Sequence, residues 1–296
     1  MEKTARAKGI LYLFLTFFMW GSVYVAGKLG SAQMSPFLLA ALRCAIAAPV
    51  LLLMAREHLR VKIDRADYKY FLLIGVLGYY MTIDLVQLGI HLTGASTAAL
   101  VNSFNPVAIM LLAAVLLGEK ITPVKLVCLV LAVTGTVIVA GGAHGQSEIA
   151  GILVTLLATV TWGAASVFVR KLTAKYPPIL VTAYSMTLGL LLHLPTGVIS
   201  AIRQPPHVDS VGVLTLLYLG LVGSALSQFT WAQALSQFPA GTCSLFYPLQ
   251  AVFSALLGAV ILKEQFTAAF FLGLAFVAAD VALSTWATTR ETKTAG

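Results

Sequence analysis

Four polar side chains share one face of an otherwise apolar stretch of the chain. Tyr80, Asp84, Gln87 and His91 follow at spacings of four, three and four residues, so a helix places them on one side. Such a face predicts the lining of a polar cavity or a proton relay. The alternatives are that the groups hold the helix to a neighbour by hydrogen bonds or lie near the outer interface. Within this set, Asp84 is the candidate for taking up and releasing a proton in an apolar environment.

Aromatic side chains form the second set with a recognisable chemistry. Trp20 and Tyr24 are four residues apart, and Trp162 and Ser166 repeat this spacing. Both tryptophans lie near the centre of an apolar stretch, where an indole N–H needs a partner. These rings are expected to wall a cavity for aromatic or ammonium-bearing solutes, the alternative being interhelical packing. The other aromatic residues assigned to this wall are Tyr79, Tyr80, Tyr184, Trp231 and Tyr247.

Amides, hydroxyls and prolines complete the candidate substrate-binding site. Asn102, Ser227 and Gln228 are assigned to the wall of the same cavity. Pro106 and Pro248 are predicted hinges, because proline removes a backbone donor and bends a helix. Proline also occurs in membrane helices without any function, which is the alternative here.

Three ionisable side chains lie well inside apolar stretches, namely Arg43, Asp84 and Asp280. Since a buried pair costs less than two lone charges, Arg43 is predicted to pair with one of the two aspartates. Gly21 and Gly163 follow the two central tryptophans directly. They are expected to face the cavity, so that a bulky substitution at either position would block it.

The elements that must position these side chains are membrane-spanning helices. The 296 residues are 59% hydrophobic and 10% charged, and the mean hydropathy is +0.92. A soluble domain has about 25% charged residues, so a soluble protein is excluded. At roughly 20 apolar residues per crossing, the sequence predicts an all-α integral membrane protein with ten transmembrane helices. Their expected ranges are 9–29, 36–54, 69–91, 95–117, 123–141, 150–170, 179–201, 211–235, 241–262 and 268–288.

The distribution of Lys and Arg predicts how these helices are oriented. With ten spans and a cytoplasmic N-terminus, 15 of the 19 Lys and Arg residues lie on the cytoplasmic side and three on the outer side. Cytoplasmic connections are enriched in these residues, so the N- and C-termini are both predicted to be cytoplasmic. The net charge of +8 is spread over the connections, which argues against nucleic acid as a partner.

The two halves of the chain resemble each other. Trp20-Gly21 recurs as Trp162-Gly163 at an offset of 142, and Glu119 recurs as Glu264 at an offset of 145. This predicts two five-helix repeats, residues 1–142 and 143–296, in one membrane domain with no soluble domain. Because five is odd, the second copy would cross the membrane in the opposite sense. Such inverted repeats are typical of secondary transporters with a substrate site between the copies.

Several chemistries have no motif in the sequence. There is no Walker A pattern for ATP, no metal-ligand cluster and no nucleophile motif. The three cysteines are isolated, so neither a disulfide framework nor a Cys-x-x-Cys metal site is expected. The sequence therefore predicts no enzymatic activity, no cofactor and no metal.

These features together resemble a known transporter superfamily. The ten spans, the repeated Trp-Gly, and the stretch from Pro106 to Gly118-Glu119 and Thr122 are similar to the drug/metabolite transporter superfamily, in particular its two-repeat EamA-type branch. The resemblance covers essentially the whole chain. In the second half Ala251 and Lys263 depart from the pattern, where the first half has Pro106 and Gly118. Within the superfamily the chain most resembles bacterial aromatic and broad-range amino-acid exporters.

The resemblance implies a function and a location. The expected protein is a multi-pass secondary transporter of the bacterial inner membrane that exports small metabolites, above all amino acids and including aromatic ones. It would work by alternating access around a cavity walled by helices 1, 3, 4, 6, 8 and 9. Its partners would be the substrate and the lipid bilayer, with either a coupled proton or no coupling ion. The alternatives are a transporter of drugs, nucleotide sugars or phosphorylated sugars, or else a membrane enzyme or channel.

Overall fold

The protein is a bundle of long helices. The computed structural model describes residues 2–141 and 146–276, together with 278, 279 and 283, and within these residues every regular element is helical. The helices are α1 (Glu2–Ser31), α2 (Pro36–Met54), α3 (Arg65–Leu92), α4 (Ala95–Leu117), α5 (Pro123–Gly141), α6 (Gln146–Thr173), α7 (Pro178–Arg203), α8 (Ser210–Gln237) and α9 (Ala240–Leu262), followed by helical residues 268–276.

Eight of these helices are long and apolar enough to cross a membrane. They coincide with eight of the ten predicted spans, as expected where each backbone polar group must be satisfied inside its own helix. The fifth predicted span coincides with α5, whose apolar stretch is the shorter Leu126–Gly135. Of the tenth, 268–288, mainly the first part is described, and Asp280 lies outside the described residues.

Wide helical turns interrupt α3 and α8 at related places. These π-helical turns are Ile74–Met81 and Leu221–Leu226, and they overlap when the second half is shifted back by 145 residues. A π-helical turn adds a residue to the helix and frees backbone groups, and such turns are frequent at functional sites. In α8 the turn contains Gly223, whose carbonyl oxygen accepts hydrogen bonds from two side chains, Arg43 and Ser227.

α4 and α9 are both broken near the middle. In α4 the break lies between Asn102 and Asn105, because Pro106 has no N–H to offer the carbonyl of Asn102. Asn105 Nδ2 donates to that carbonyl instead, at 2.8 Å. In α9 the break lies between Ser244 and Pro248. Both predicted hinge prolines therefore stand at a break, and hinge motion stays a prediction.

The helices of the two halves pack across each other. α2 lies along α7, α1 packs against α8 and α9, and α6 packs against α3 and α4. Glycines permit two of these approaches: a Cβ at Gly21 would lie 2.6 Å from Phe253 Cβ, and one at Gly163 would lie 2.8 Å from Ala108 Cβ. Both glycines face a neighbouring helix, so the expectation that they face the cavity is wrong.

The close contact at Gly163 makes a prediction about stability. Gly163→Ala is expected to lower the free energy of unfolding by about 1–3 kcal/mol, because the added methyl group overpacks the contact between α6 and α4. Denaturation in detergent measures the change. The double variant Gly163→Ala/Ala108→Gly removes the opposing methyl group and should recover part of the loss. Unchanged stability of the single variant would contradict this packing.

Two glutamates join the halves at opposite ends of α4 and α9. Glu119, which follows α4, accepts a hydrogen bond from the backbone N–H of Ala240 at 3.0 Å. Glu264, which follows α9, accepts one from the N–H of Ala95, also at 3.0 Å. A carboxylate at a helix N-terminus satisfies N–H groups that have no partner within the helix and interacts favourably with the helix dipole. Because each helix begins where the other ends, α4 and α9 run antiparallel.

The residue before each of these glutamates has a left-handed backbone. Gly118 has φ of 69° and Lys263 has φ of 54°. A residue in this conformation ends a helix and reverses the chain direction, which brings the following side chain back toward the bundle. Lys263 occupies the position in the second half that corresponds to Gly118 in the first. A side chain is disfavoured in the left-handed conformation, yet Lys263 adopts it, so the turn is the same in both halves.

Candidate substrate chamber

A narrow chamber lies between the two halves, where seven helices meet. Its volume is about 60 Å³, whereas small-molecule sites commonly have about 300–1,000 Å³, so the chamber is constricted. All six predicted wall helices, α1, α3, α4, α6, α8 and α9, contribute to it, and α2 adds Arg43. The lining residues are Trp20, Val23, Tyr24, Arg43, Gly78, Thr82, Ile83, Val86, Asn102, Trp162, Gln228, Tyr247 and Gln250.

Aromatic rings make up much of the wall. Six of the predicted site residues line the chamber, namely Trp20, Tyr24, Asn102, Trp162, Gln228 and Tyr247. The ring centroid of Trp20 lies 5.5 Å from that of Trp162 and 5.6 Å from that of Tyr247. Trp231 packs on Trp20 at 5.3 Å, and Tyr79 packs edge-on against Trp162 at 6.3 Å. The structure combines the two predicted alternatives, since these rings both line a cavity and pack on each other.

The two indole N–H groups of the chamber have partners inside the bundle. Trp20 Nε1 donates to Ser227 Oγ at 3.1 Å, and Trp162 Nε1 donates to the hydroxyl of Tyr247. Ser166, one turn after Trp162, is fully buried. A hydrogen bond fixes the rotation of an indole ring, so these partners orient the two tryptophans toward the chamber.

The Trp20–Ser227 hydrogen bond can be measured by substitution. Trp20→Phe keeps a ring but removes the donor, and it should lower the free energy of unfolding by about 0.5–1.5 kcal/mol beyond the change in packing. Ser227 Oγ also donates to the carbonyl of Gly223 at 2.7 Å, and this bond is expected to remain in the variant. A double-mutant cycle with Ser227→Ala isolates the bond. Strictly additive effects of the two substitutions would contradict it.

Arg43 is the cation among the residues that line the chamber. It is 4% exposed, its Nε donates to Ser224 Oγ at 2.8 Å, and its Nη2 donates to the carbonyl of Gly223 at 3.2 Å. The predicted ion pair with Asp84 is not formed, and the other candidate, Asp280, is not among the described residues. No residue of the lining is acidic. Since arginine has five N–H donors, this guanidinium keeps hydrogen-bonding capacity for a ligand.

Asp84 lies outside the chamber lining, at the contact between α3 and α7. Its Oδ1 is 3.4 Å from His193 Nδ1, while His193 Nε2 is hydrogen-bonded to the carbonyl of Tyr79 at 2.9 Å. Tyr80 packs edge-on against the imidazole ring at 5.1 Å between centroids. An acid beside an imidazole can exchange a proton with it. Asp84 and His193 are therefore two buried protonatable groups in contact, without a hydrogen bond between them.

The remaining predicted residues lie in other environments. Gln87 is buried and donates to the carbonyl of Gly27 at 3.0 Å, so it joins α3 to α1. The hydroxyl of Tyr184 donates to the carbonyl of Leu59 at 3.3 Å, close to the connection between α2 and α3. His91 is exposed at the end of α3. A substrate-binding role for Gln87 and Tyr184 stays a prediction that these positions do not favour.

Sequence reasoning missed seven of the thirteen lining residues, most of them small or aliphatic. The missed residues are Val23, Gly78, Thr82, Ile83, Val86 and Gln250, together with Arg43, for which a structural ion pair was expected. A signal existed for two of them, because Gly78 and Thr82 correspond to Gly223 and Ser227 at the offset of 145. Thr82 contacts α6 as well, through a hydrogen bond of 2.7 Å between its hydroxyl and that of Thr161.

Each half of the chain matches the same protein family. The EamA-like transporter family matches residues 7–141 and again residues 149–286. The chain belongs to this family. It is therefore a multi-pass membrane protein, and a transporter rather than an enzyme. The two matches also agree with the internal similarity between the halves.

Individual relatives of this EamA-like transporter cover nearly its whole length. It is 25% identical to the "probable amino-acid metabolite efflux pump" of Escherichia coli, over 92% of this chain and 93% of that protein. It is 28% identical to the "probable terminal-alkyne amino-acid exporter" of Streptantibioticus cattleyicolor, over 81% of both. It is 25% identical to a transporter of Clostridium kluyveri, over 91% of this chain and 90% of that protein.

A solved structure has the same fold. A protein of known crystal structure superposes with a TM-score of 0.73, over 96% of this chain and 98% of its own, at 22% sequence identity. At that identity the likeness concerns the fold alone. It supports the arrangement of helices that encloses the chamber.

Proposed function

We propose that this EamA-like transporter exports small metabolites, above all amino acids and including aromatic ones, across a bacterial inner membrane. The observation that carries the proposal is the chamber, in which the buried cation Arg43 lies among aromatic rings and no lining residue is acidic. A substrate carboxylate would supply the counter-charge that the lining does not offer to Arg43, and an arginine–carboxylate pair can be bidentate. The names of two distant relatives, which refer to amino-acid efflux and export, support the same substrate class.

Two amides of the chamber have polar atoms to offer a ligand. Among the described residues, Gln228 Oε1 and Gln250 Nε2 are buried and find no hydrogen-bond partner. A buried polar atom without a partner costs about 1–3 kcal/mol, which a bound substrate would recover. The Gln250 amide would donate to the carboxylate, and Gln228 Oε1 would accept from the ammonium group. The faces of Trp20 and Trp162 would contact the ammonium group or stack on an aromatic side chain.

Alternating access is the proposed mechanism. A chamber of about 60 Å³ is too small for an amino acid, so it must widen toward one side of the membrane to load substrate. The proposed topology has ten spans in two inverted repeats, 1–142 and 143–296, with both termini in the cytoplasm. The reciprocal contacts of Glu119 and Glu264, and the antiparallel course of α4 and α9, support it.

Other solutes of the superfamily fit this chamber less well. A phosphorylated or nucleotide sugar would need several cations, and Arg43 is the single cation in the lining. A cationic drug would be repelled by Arg43. If transport is coupled to protons, the acid–imidazole pair of Asp84 and His193 is the site that supports it.

Counterflow into liposomes tests the proposal. Vesicles loaded with unlabelled phenylalanine should transiently accumulate labelled phenylalanine, and excess unlabelled amino acids should compete. Phenylalaninamide is the matched control, because it lacks the carboxylate that Arg43 is proposed to bind. Equal competition by the amide would contradict the carboxylate assignment, and absence of counterflow for every amino acid would contradict the substrate class. An imposed pH gradient, with and without Asp84→Asn, tests proton coupling.

A further inference from the structure

We propose that a second cavity, between α2, α3 and α7, binds an anionic phospholipid of the cytoplasmic leaflet. The cavity has a volume of about 760 Å³ and shares no residue with the chamber. It is formed by the end of α2, the connection that follows it, the start of α3 and the first half of α7. It is therefore a separate site and needs no change in the chamber to be occupied.

The mouth of this cavity is positively charged. Arg60, Lys62 and Lys69 line it, all three are exposed, and no lining residue is acidic. The acid nearest in sequence to Lys69 is Asp67, and its carboxylate pairs with Lys175 at 3.0 Å. The hydrogen bond to Asp67 raises the pKa of Lys175. Glu57 and Asp64, the other two acids of the connection, do not line the cavity either. Three adjacent cations favour a phosphate-bearing anion.

The depth of the cavity is apolar. Leu52, Phe71 and Leu188 lie on its walls, and Leu72, which also lines it, is 51% exposed. Leu188 lies ten residues beyond the start of α7 at Pro178, which is about 15 Å at a rise of 1.5 Å per residue. With the start of α7 at the cytoplasmic interface, as the proposed topology has it, the cavity would reach about the middle of a hydrocarbon core roughly 30 Å thick.

This gradient from charged to apolar identifies the ligand class. A phospholipid places its phosphate beside the cations and an acyl chain along the leucines, whereas a free phosphate would use only the mouth. The proposal rests on the cytoplasmic orientation of the connection 55–67, which carries four of the protein's basic residues. Anionic lipids attract basic residues at that surface, and basic pockets between helices there bind anionic head groups.

Native mass spectrometry of the full chain in detergent, titrated with phosphatidylglycerol, tests the proposal. We expect one retained phosphatidylglycerol, bound at least about ten-fold more tightly than phosphatidylcholine. Each cation should contribute about five-fold, so Arg60→Gln/Lys62→Gln/Lys69→Gln should weaken binding roughly 100-fold. The single variant Lys62→Gln should weaken it about five-fold and serves as the readout if the triple variant does not fold.

A charge-matched variant separates a defined site from general attraction. Lys8→Gln/Arg56→Gln/Arg65→Gln removes the same charge from exposed residues that do not line the cavity, and it should keep the lipid. Equal loss in both triple variants would overturn the proposal, as would equal retention of phosphatidylcholine. Displacement of the lipid by millimolar inorganic phosphate would also overturn it, because it would indicate a site for small anions. None of these readouts depends on transport, so they are independent of the proposed substrate.

Discussion

Replacing Arg43 with glutamine is expected to lower phenylalanine counterflow by about 10- to 100-fold. Hydrogen bonds to charged groups contribute about 1.5–3 kcal/mol, and about 1.4 kcal/mol corresponds to a factor of ten. Glutamine is polar and shorter, so it can still donate toward Ser224 or the carbonyl of Gly223 and keep α2 against α8. The initial rate of counterflow at a substrate concentration below saturation measures the effect.

The controls for Arg43 change its charge and its geometry separately. Arg43→Lys keeps the charge but not the bidentate geometry, so its rate should lie between those of the wild-type protein and Arg43→Gln. Arg203→Gln removes an exposed cation at the end of α7 and should leave the rate unchanged. In Arg43→Gln, phenylalanine should compete with labelled substrate only slightly better than phenylalaninamide does. The variant lacks both the cation that binds the carboxylate and the repulsion of a cationic substrate. Full counterflow by a folded Arg43→Gln protein would contradict the assignment of Arg43 as the group that binds the substrate carboxylate.

Removing the charge of Glu119 or Glu264 is expected to open the chamber toward opposite sides of the membrane. Each carboxylate accepts two backbone N–H bonds at the start of a helix of the other half. Glutamine keeps one acceptor oxygen but no charge. If the substitution weakens these hydrogen bonds by about 2 kcal/mol, the ratio of open to closed chambers should rise roughly 30-fold. The chamber would open on the side where the contact is weakened.

Labelling of a cysteine in the chamber measures this shift. Val86→Cys places a thiol in the lining, and the native Cys44, Cys128 and Cys243 are all buried. With Glu264→Gln, a membrane-impermeant maleimide should label Val86→Cys faster from outside; with Glu119→Gln, it should label faster from the cytoplasmic side. Glu57→Gln removes an exposed acid of the α2–α3 connection and should change neither rate. Faster labelling from one and the same side in both variants would contradict the proposed gates.

Features that depend on neighbouring residues were predictable from the sequence. Trp20 and Trp162 were assigned to a common wall because they lie at the centre of apolar stretches and recur between the halves, and both line the chamber. Pro106 and Pro248 stand at helix breaks, because a missing N–H acts on the preceding turn wherever the helix lies. These properties are local, so no knowledge of the neighbouring helices was needed.

Features that depend on helix rotation were not predictable. The face containing Tyr80, Asp84 and Gln87 was drawn from the period of an α-helix, which gives the position of each side chain around the axis but not the neighbouring helix that it meets. Tyr80 and Asp84 meet His193 on α7, and Gln87 meets α1. The partners of this face therefore lie on different helices.

The sequence by itself determined that this protein is a bundle of membrane-crossing helices with two similar halves, because hydropathy and internal repetition are properties of the chain alone. Only the tertiary structure decided which polar groups share the chamber. Arg43 bonds to Ser224 and Gly223 rather than to Asp84, because the π-helical turn of α8 places a backbone carbonyl and a hydroxyl within hydrogen-bond distance of it. Close contacts at glycines of α8 set how α8 crosses its neighbours: Gly220 meets Ile46 of α2 and Gly223 meets Val23 of α1. These crossings place Arg43 of α2 and Trp20 of α1 in the lining of one chamber.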